Sequence, residues 1–247
     1  MADQKLLALV TGANGGIGFE VVNQLLADGS FHVLLGSRSI EKGEAALADL
    51  QSRNLPGTVE LVQLDVADEK SIAAAAKVVE EKHGRLDALV NNAGIARGPG
   101  TLAEQMVDCF RVSAVGAQLM SDYFSPLLKK STGTPRIINV TSGAGSIGNH
   151  IAKNNFGLKD QVIPYRVCKA AMNMVFACQV RSYEEEGFKI FLYGPGPTVS
   201  NLSPPDFFPG KKPTAVGAAP ITEMVQGKRD EDAGIYLEYG YQGAFPW

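Results

Sequence analysis

The stretch that decides the fold of this 247-residue chain is Thr11-Gly12-Ala13-Asn14-Gly15-Gly16-Ile17-Gly18. It lies between a predicted strand, Lys5–Val10, and a predicted helix that begins near Ile17. Residues without Cβ let the backbone turn tightly, and they let a pyrophosphate approach the unpaired N–H groups of a helix N-terminus. The glycine spacing differs from the common G-x-G-x-x-G fingerprint but meets the same need. The stretch therefore predicts a dinucleotide site, with a plain strand-to-helix turn as the alternative.

Outward from this stretch, predicted strands alternate with predicted helices. The strands are Lys5–Val10, Phe31–Leu35, Val59–Leu64, Leu86–Val90, Arg136–Val140, Lys189–Tyr193 and Gly234–Glu238. The helices are about Ile17–Ala27, Ile40–Gln51, Glu69–Lys82, Leu102–Lys129 (broken in two), Val162–Glu186 and Ile221–Gly227. This alternation predicts an α/β fold: one doubly wound parallel sheet of about seven strands, with helices on both faces. No linker interrupts it, so residues 1–247 are expected to form one domain.

Composition excludes several classes of function. The 23 basic and 26 acidic residues give a net charge of -3 without a basic cluster, which argues against a nucleic-acid partner. The longest apolar run, Leu6–Val10, is far shorter than the roughly 20 residues of a membrane span. The N-terminus lacks the basic flank of a secretory signal. Three Cys and three His at no metal spacing predict neither disulfides nor a metal site. We expect a cytoplasmic protein.

One segment, Gly194–Pro220, departs from the alternation because it contains seven prolines. Regular structure is not expected there. A long irregular segment inside a domain is typical of a substrate lid, and Leu202, Phe207 and Phe208 would give this lid an apolar surface. The aromatic tail that ends at Trp247 fits either a packing layer or a subunit contact.

The residues after the second strand bear on which nucleotide is bound. A site for NAD usually has an acid there that holds the ribose 2′-hydroxyl. This chain has Gly36-Ser37-Arg38-Ser39 instead, and its first acid is Glu41. Arg38 can pair with a 2′-phosphate and Ser37 can add a hydrogen bond, which favours NADP(H). The alternative is that Arg38 is a solvated loop charge.

Two further strand ends carry polar residues where ligands of open α/β sheets bind. Asp65, followed by Val66, can accept a hydrogen bond from an adenine amino group or can cap the next helix. Asn91-Asn92-Ala93-Gly94 is either a plain turn or a place where side-chain amides tie neighbouring strands together beneath the cofactor.

Tyr165 and Lys169 open the helix after the fifth strand and share one helical face at i and i+4. An ammonium near a phenol lowers the phenol pKa, which makes Tyr a usable proton donor or acceptor near neutral pH. Ser142, at the end of the fifth strand, can bond the same reacting oxygen. A Tyr-x-x-x-Lys pair alone is usually surface decoration. Its weight here comes from the glycine loop and the strand-end serine.

Together these residues resemble the short-chain dehydrogenase/reductase family. The shared motifs are Thr11–Gly18, Asp65, Asn91–Gly94, Ser142, Tyr165, Lys169, Pro195-Gly196 and Ser200. The stretch His32–Ser39 and the end Phe245-Pro246-Trp247 are similar to fungal members. The resemblance implies a Rossmann fold. The cofactor contacts expected from the motifs are Gly12, Asn14, Gly15, Gly16, Ile17, Gly18, Ser37, Arg38, Asp65, Val66, Asn91, Ala93, Gly94, Tyr165, Lys169, Pro195, Gly196, Thr198, Val199 and Ser200.

The resemblance also implies a mechanism. A hydride passes from nicotinamide C4 to a carbonyl carbon, and Tyr165 supplies the proton to the carbonyl oxygen. Lys169 would hold the ribose hydroxyls and lower the Tyr165 pKa, and Ser142 would orient the carbonyl.

The chain departs from the family pattern in two places. Ser113 stands where members often have an Asn that holds a proton-relay water, and we count it with the catalytic residues because a hydroxyl can hold such a water. The gap between Ser142 and Tyr165 is also longer than usual. Its extra segment, 149–161, is expected to border the substrate cleft. It bears on assembly as well, for which a homo-oligomer (dimer or tetramer) is the family's expectation.

Two functional hypotheses follow. The first is an NADPH-dependent reductase of small or medium hydrophobic ketones or aldehydes, of the kind found in fungal secondary metabolism. The second keeps the fold but has a non-reductive role, as a cyclase, an isomerase or a cofactor-sensing binding protein. A methyltransferase would explain the glycine loop but not Tyr165 and Lys169.

Overall fold

A single seven-stranded parallel sheet, in the order β3-β2-β1-β4-β5-β6-β7, organises the chain. The computed structural model describes residues 5–153, 162–202 and 210–247. The strands are β1 Leu6–Val10, β2 Phe31–Ser37, β3 Thr58–Gln63, β4 Ala88–Asn91, β5 Arg136–Val140, β6 Lys189–Gly194 and β7 Tyr236–Glu238. The α/β fold class predicted from the sequence, with about seven parallel strands, is confirmed.

Helices cover both faces of the sheet. They are α1 Gly16–Asp28, α2 Ile40–Ser52, α3 Glu69–His83, α4 Leu102–Phe110, α5 Gly116–Leu128, α6 Ile147–Ile151, α7 Ile163–Tyr183 and α8 Thr214–Val225. Successive strand residues point to opposite faces. Accordingly, Leu7 and Leu9 pack with residues of α3, α5 and α7, while Ala8 and Val10 pack with residues of α1, α2 and α8. Both faces are buried, so the central strands are apolar without alternation.

Local sequence signals start and stop the helices. The side chain of Ser39 accepts a hydrogen bond from the Lys42 N–H at the start of α2 (3.3 Å). Asp68 does the same for Lys70 at the start of α3 (3.0 Å). Gly84 ends α3 in the left-handed region, at φ 71°, where a residue without Cβ is favoured.

The helical stretch over 102–129 was predicted to break in two, but in the structure it continues without a break. The chain passes from α4 to α5 through one π-helical turn, Arg111–Val115, and no residue leaves the helix. The turn accommodates one extra residue per hydrogen-bonded ring, and such turns are frequent at functional sites.

The predicted irregular segment, Gly194–Pro220, ends earlier than expected. Helix α8 begins at Thr214, so Pro220 lies inside it. The prediction was wrong here because the buried side chains of α8, which include Ile221 and Met224, pack against the sheet. That packing outweighs the backbone hydrogen bond that proline cannot donate. Phe207 and Phe208 of the predicted lid lie outside the described residues.

Helix α6 was not predicted. It lies at the start of the segment 149–161, and residues 154–161 of that segment lie outside the described part of the chain. Within the described ranges, no helix combines the length and the apolar character needed to cross a membrane.

Candidate active site

The turn after β1 has the conformation that its glycines allow. Gly12 and Gly16 have φ of 62° and 56°, in the left-handed region that side chains rarely adopt. A Cβ at Gly12 would also lie 3.0 Å from the Cα of Ala93. The loop can therefore approach the turn after β4 closely, and both turns open onto the carboxyl end of the sheet.

The loop is held by Thr11 and Asn92. The Thr11 hydroxyl accepts hydrogen bonds from the N–H groups of Asn92 (2.9 Å) and Ala93 (3.0 Å). The Asn92 amide donates to the Thr11 carbonyl at 2.8 Å. A side-chain amide thus ties the ends of β1 and β4 together, as the sequence suggested, and the glycine loop has a fixed position relative to the sheet.

Asn91 lies one residue earlier and faces the other way. It is 3% exposed, and its amide donates to Asn139 of β5 at 3.0 Å. We expected Asn91 to contact the cofactor, but the structure places it in the core. The strand alternation turns its side chain inward while Asn92 reaches the surface of the cleft.

A cleft of about 300 Å³ runs along the carboxyl ends of the strands. Of the predicted site residues, it is lined by Gly12, Asn14, Gly15, Gly16, Ile17, Arg38, Asp65, Val66, Ala93, Gly94, Tyr165, Lys169, Pro195 and Ser200. These residues follow β1, β2, β3, β4 and β6 or open α7, so the topology brings them together from positions far apart in the sequence. Ligands of open α/β sheets bind in this place.

The cleft does not include every predicted residue. Those that do not line it are Gly18, Ser37, Asn91, Ser113, Ser142, Gly196, Thr198 and Val199. Ser37 is buried and its hydroxyl donates to the Ser39 carbonyl at 2.8 Å. Thr198 is also buried, and its hydroxyl lies 3.1 Å from the carbonyls of Pro195 and Gly196. Both hydroxyls therefore shape turns beside the cleft.

Gly18 has a packing role under the loop. A Cβ there would lie 2.8 Å from the Gly12 carbonyl oxygen, so only glycine lets α1 pack this closely against the turn. The segment after Gly196 then crosses the glycine loop from the other side. A Cβ at Gly15 would lie 3.1 Å from the side-chain amide of Asn201, and one at Gly16 would lie 3.4 Å from Ser200. Asn201, which was not predicted as a site residue, lines the cleft, and so does Leu202 of the predicted lid.

Arg38 and Asp65 lie at the same end of the cleft. Arg38 is exposed, and a guanidinium there can meet a ligand phosphate. Asp65 is half-buried, and its Oδ1 accepts the Ala67 N–H at 3.0 Å. It does not cap α3, because Asp68 fills that position. The structure therefore supports a role for Asp65 in lining the cleft.

Ser142, Tyr165 and Lys169 lie together at the opposite end. The Ser142 hydroxyl hydrogen-bonds the Tyr165 phenol and accepts the Ala144 N–H at 3.2 Å. The Lys169 ammonium donates to the Val140 carbonyl at 2.9 Å, and it lies 5.8 Å from the centre of the Tyr165 ring. Tyr165 and Lys169 therefore face the cleft, whereas Ser142 does not line it and lies on the far side of the phenol.

Burial governs the protonation of this group. It raises the pKa of the Tyr165 phenol well above its ordinary value, and the hydrogen bond from Ser142 offsets only part of the rise. Burial also lowers the pKa of Lys169. The sequence led us to expect Lys169 to lower the Tyr165 pKa. The net shift is upward because desolvation disfavours the phenolate, and the contribution of Lys169 to the Tyr165 pKa stays a prediction. Tyr165 is thus a neutral phenol that holds a proton.

Ser113 lies on the π-helical turn and is 1% exposed. The Cys168 thiol donates to its hydroxyl at 3.5 Å. Its neighbour Val112, rather than Ser113 itself, lines the cleft. The structure therefore places Ser113 behind Tyr165 and Lys169, and its proposed role in a proton relay stays a prediction.

The sequence analysis missed Glu238, the last residue of β7. It is 8% exposed, and it accepts a hydrogen bond from the Gly143 N–H, next to Ser142. Its Oε2 has no hydrogen-bond partner among the described residues. Burial raises the pKa of Glu238 to about 8, against the lowering effects of the Gly143 N–H and of Lys212. The sequence feature that could have indicated Glu238 was an acidic residue at the carboxyl end of an apolar strand.

This raised pKa makes stability depend on pH. Between about pH 4.5 and pH 8 the folded protein keeps the Glu238 proton while the unfolded chain releases it, so the stability of the wild type falls as pH rises through that window. Glu238→Gln removes the titration. We expect its free energy of unfolding, relative to wild type, to rise by about 4–5 kcal/mol between pH 4 and pH 9.

Urea unfolding at pH 4, 7 and 9 measures this difference. The exposed Glu185→Gln serves as the control and should follow the wild type at each pH. A Glu238→Gln difference that stays constant across the three pH values would show that Glu238 ionises normally in the folded protein.

Sequence comparison identifies the family. The short chain dehydrogenase family profile matches residues 6–206. The short-chain dehydrogenase anuI of Penicillium roqueforti is 36% identical over 251 residues, which cover 96% of this chain and 98% of the relative. The short-chain dehydrogenase/reductase tropE of Talaromyces stipitatus is 34% identical, with 97% of each chain covered. The chain belongs to the short-chain dehydrogenase/reductase family.

Structural comparison agrees. The NADPH-bound carbonyl reductase from chicken fatty liver superposes with a TM-score of 0.82 at 29% identity, covering 99% of this chain and 100% of that one. Salutaridine reductase from Papaver somniferum superposes with a TM-score of 0.77 at 22% identity, which shows a shared fold. The family and its Rossmann-type fold, both expected from the motifs, are confirmed.

Proposed function

We propose that the protein is an NADPH-dependent carbonyl reductase that acts on a hydrophobic ketone or aldehyde of small to medium size. The observation that carries the proposal is the arrangement of one cleft. A glycine loop and Arg38 lie at one end, and Tyr165 and Lys169 lie at the other. The NADPH-bound carbonyl reductase with the same fold supports the choice of cofactor.

The residues present fit a nicotinamide dinucleotide. The glycine loop offers a surface without side chains at the start of α1, where the helix N–H groups favour phosphate. The exposed guanidinium of Arg38 suits a 2′-phosphate, because the cation can form charge-assisted hydrogen bonds with it. Asp65 and Gly94 line the same cleft as these groups and Lys169. When bound, NADPH supplies the hydride.

The chain's own residues supply the proton and the orientation. Tyr165 is the general acid, since its ring lines the cleft and a neutral phenol is the form that donates in reduction. Ser142 orients the phenol through their hydrogen bond, and it therefore acts on the carbonyl oxygen through Tyr165. Lys169, whose ammonium lies near the Tyr165 ring, would hold the ribose hydroxyls of the cofactor and support the return of a proton to Tyr165.

The lining of the cleft supports an apolar substrate. Ile95, Val112 and Leu202 are side chains on its wall, and each presents hydrocarbon. Burying such surface against a hydrophobic carbonyl compound favours binding by about 25 cal/mol for each Å² removed from water.

Titration of the purified protein with NADPH and with NADH tests the cofactor part of the proposal. We expect NADPH to bind at least about tenfold more tightly, as measured by the change in nicotinamide fluorescence. Equal affinities would mean that Arg38 does not meet a 2′-phosphate. Absence of binding by either nucleotide would overturn the assignment of the glycine loop.

A further inference from the structure

Two of the three histidines in the chain meet one glutamate at the edge of the sheet, away from the cleft. His32 is the second residue of β2, Glu60 lies in β3, and His83 is the last residue of α3. One ligand atom from each lies within 4.8 Å of the other two. The cleft opens at the carboxyl ends of the strands, whereas His32 lies near the amino end of β2.

The fold explains why these residues meet. His32 is paired in register with Thr58, and Glu60 follows two residues later, so the three side chains share one face of the sheet. Helix α3 follows β3 and crosses this same face, where its apolar residues join the core. Its last turn ends beside Glu60. Because the three residues come from three elements, their spacing in the sequence carries no metal signal.

The two ring nitrogens of His32 have the hydrogen-bonding arrangement that is common in metal ligands. Its Nδ1 lies 2.7 Å from the Thr58 hydroxyl, and its Nε2 is buried without a hydrogen-bond partner among the described residues. A proton on Nδ1, donated to Thr58, would leave the lone pair of Nε2 available to a cation. Metal-binding histidines are commonly oriented by such a hydrogen bond on the other nitrogen.

Glu60 supplies the anionic ligand. The Glu60 Oε1 lies 2.8 Å from His83 Nε2. Neutral imidazole and ionised carboxylate are the states in which these groups bind a divalent cation. The opposing feature is the Lys82 ammonium, 3.6 Å from Glu60 Oε2, which competes for the same carboxylate.

We propose that His32, Glu60 and His83 form a Zn²⁺ site, with water in the fourth position. Two imidazoles and one carboxylate are a known zinc donor set, with bonds of about 2.0–2.2 Å. Binding would require the Glu60 and His83 atoms, now 2.8 Å apart, to separate while the three ligand atoms, now within 4.8 Å of one another, close around the ion. The Lys82 side chain is 57% exposed and can swing into solvent when the metal takes its carboxylate. The bound ion would link the edge strand β3 and the end of α3 to β2.

Isothermal titration of the metal-free protein with ZnCl2 tests the proposal, in a Cys178→Ser background that removes the exposed thiol. We expect one Zn²⁺ per chain and a Tm that rises on addition of zinc. His83→Ala should weaken binding by about a hundredfold or more, since it removes one of three ligands. Lys82→Ala should tighten binding several-fold. His150→Ala, the third histidine, is the control and should bind as the parent does.

Each result of these zinc titrations either supports or overturns the proposed site. Absence of zinc binding to the parent, or equal affinity in His83→Ala and the parent, would overturn the proposal and leave a hydrogen-bonded histidine pair. Where His32→Gln folds, loss of its zinc-dependent Tm shift would support the role of Nε2. These measurements do not use catalysis, so they succeed or fail independently of the reductase assignment.

Discussion

Tyr165→Phe is expected to lower NADPH-dependent reduction of a carbonyl substrate by about a thousandfold, while the affinity for NADPH changes by less than about twofold. The substitution keeps the ring that lines the cleft and removes the phenol proton. The cofactor contacts assigned to the glycine loop and Arg38 are untouched. The loss should therefore fall on kcat, because the proton donor acts in the transition state rather than in nucleotide binding.

The matched control is Tyr123→Phe. The Tyr123 hydroxyl donates to Glu69 at the surface (3.0 Å), so this variant loses a phenol proton far from the cleft. Its turnover should equal that of the wild type. If Tyr165→Phe retained more than about a tenth of the wild-type rate, Tyr165 would not be the general acid.

Arg38→Ala is expected to weaken NADPH binding by about 10- to 100-fold and to leave NADH binding nearly unchanged. A hydrogen bond to a charged group contributes about 1.5–3 kcal/mol, and only NADPH carries the 2′-phosphate that this guanidinium would meet. The selectivity should also decline as salt concentration rises, because Arg38 is exposed and salt screens exposed charges. Fluorescence titration at two ionic strengths measures both effects.

Arg181→Ala is the control for this experiment, since its side chain is 79% exposed and pairs with Glu184 outside the cleft. Arg181→Ala removes the same positive charge from the protein, and we expect it to leave the affinities for NADPH and for NADH unchanged. Equal losses of NADPH and NADH in Arg38→Ala would show that Arg38 supports the fold of the loop instead of recognising the phosphate.

Much of the fold was predictable because its signals are local. The strand Arg136–Val140 was predicted to the residue, since an apolar run bounded by turn residues has few alternatives. One exception was α8, and the short helix α6 was another. In α8, Pro220 signals a break, and the opposing contribution comes from contacts with α1 and the sheet that no local pattern reveals.

The candidate site was less predictable at the level of single side chains. Asn91 and Asn92 are neighbours, yet one lies in the core and the other lines the cleft. In the same way, Ser37 is buried and its neighbour Arg38 lines the cleft. At a strand end, one residue of register decides which face a side chain takes, and the sequence locates that end only within a residue or two. Glu238 was missed because its importance depends on the burial of its carboxylate, which arises from Gly143, in the turn after β5, and Gly194, at the end of β6, lying against it.

The most direct test of the account is NADPH oxidation by the wild type and by Tyr165→Phe over a panel of hydrophobic ketones and aldehydes. Loss of nicotinamide absorbance reports the reaction, and product analysis confirms an alcohol. We expect at least one carbonyl compound to be reduced by the wild type, with the rate almost abolished in Tyr165→Phe. NADPH that binds selectively but is oxidised with no member of the panel, or oxidation that is equal in the two proteins, would contradict the assignment of this cleft to carbonyl reduction.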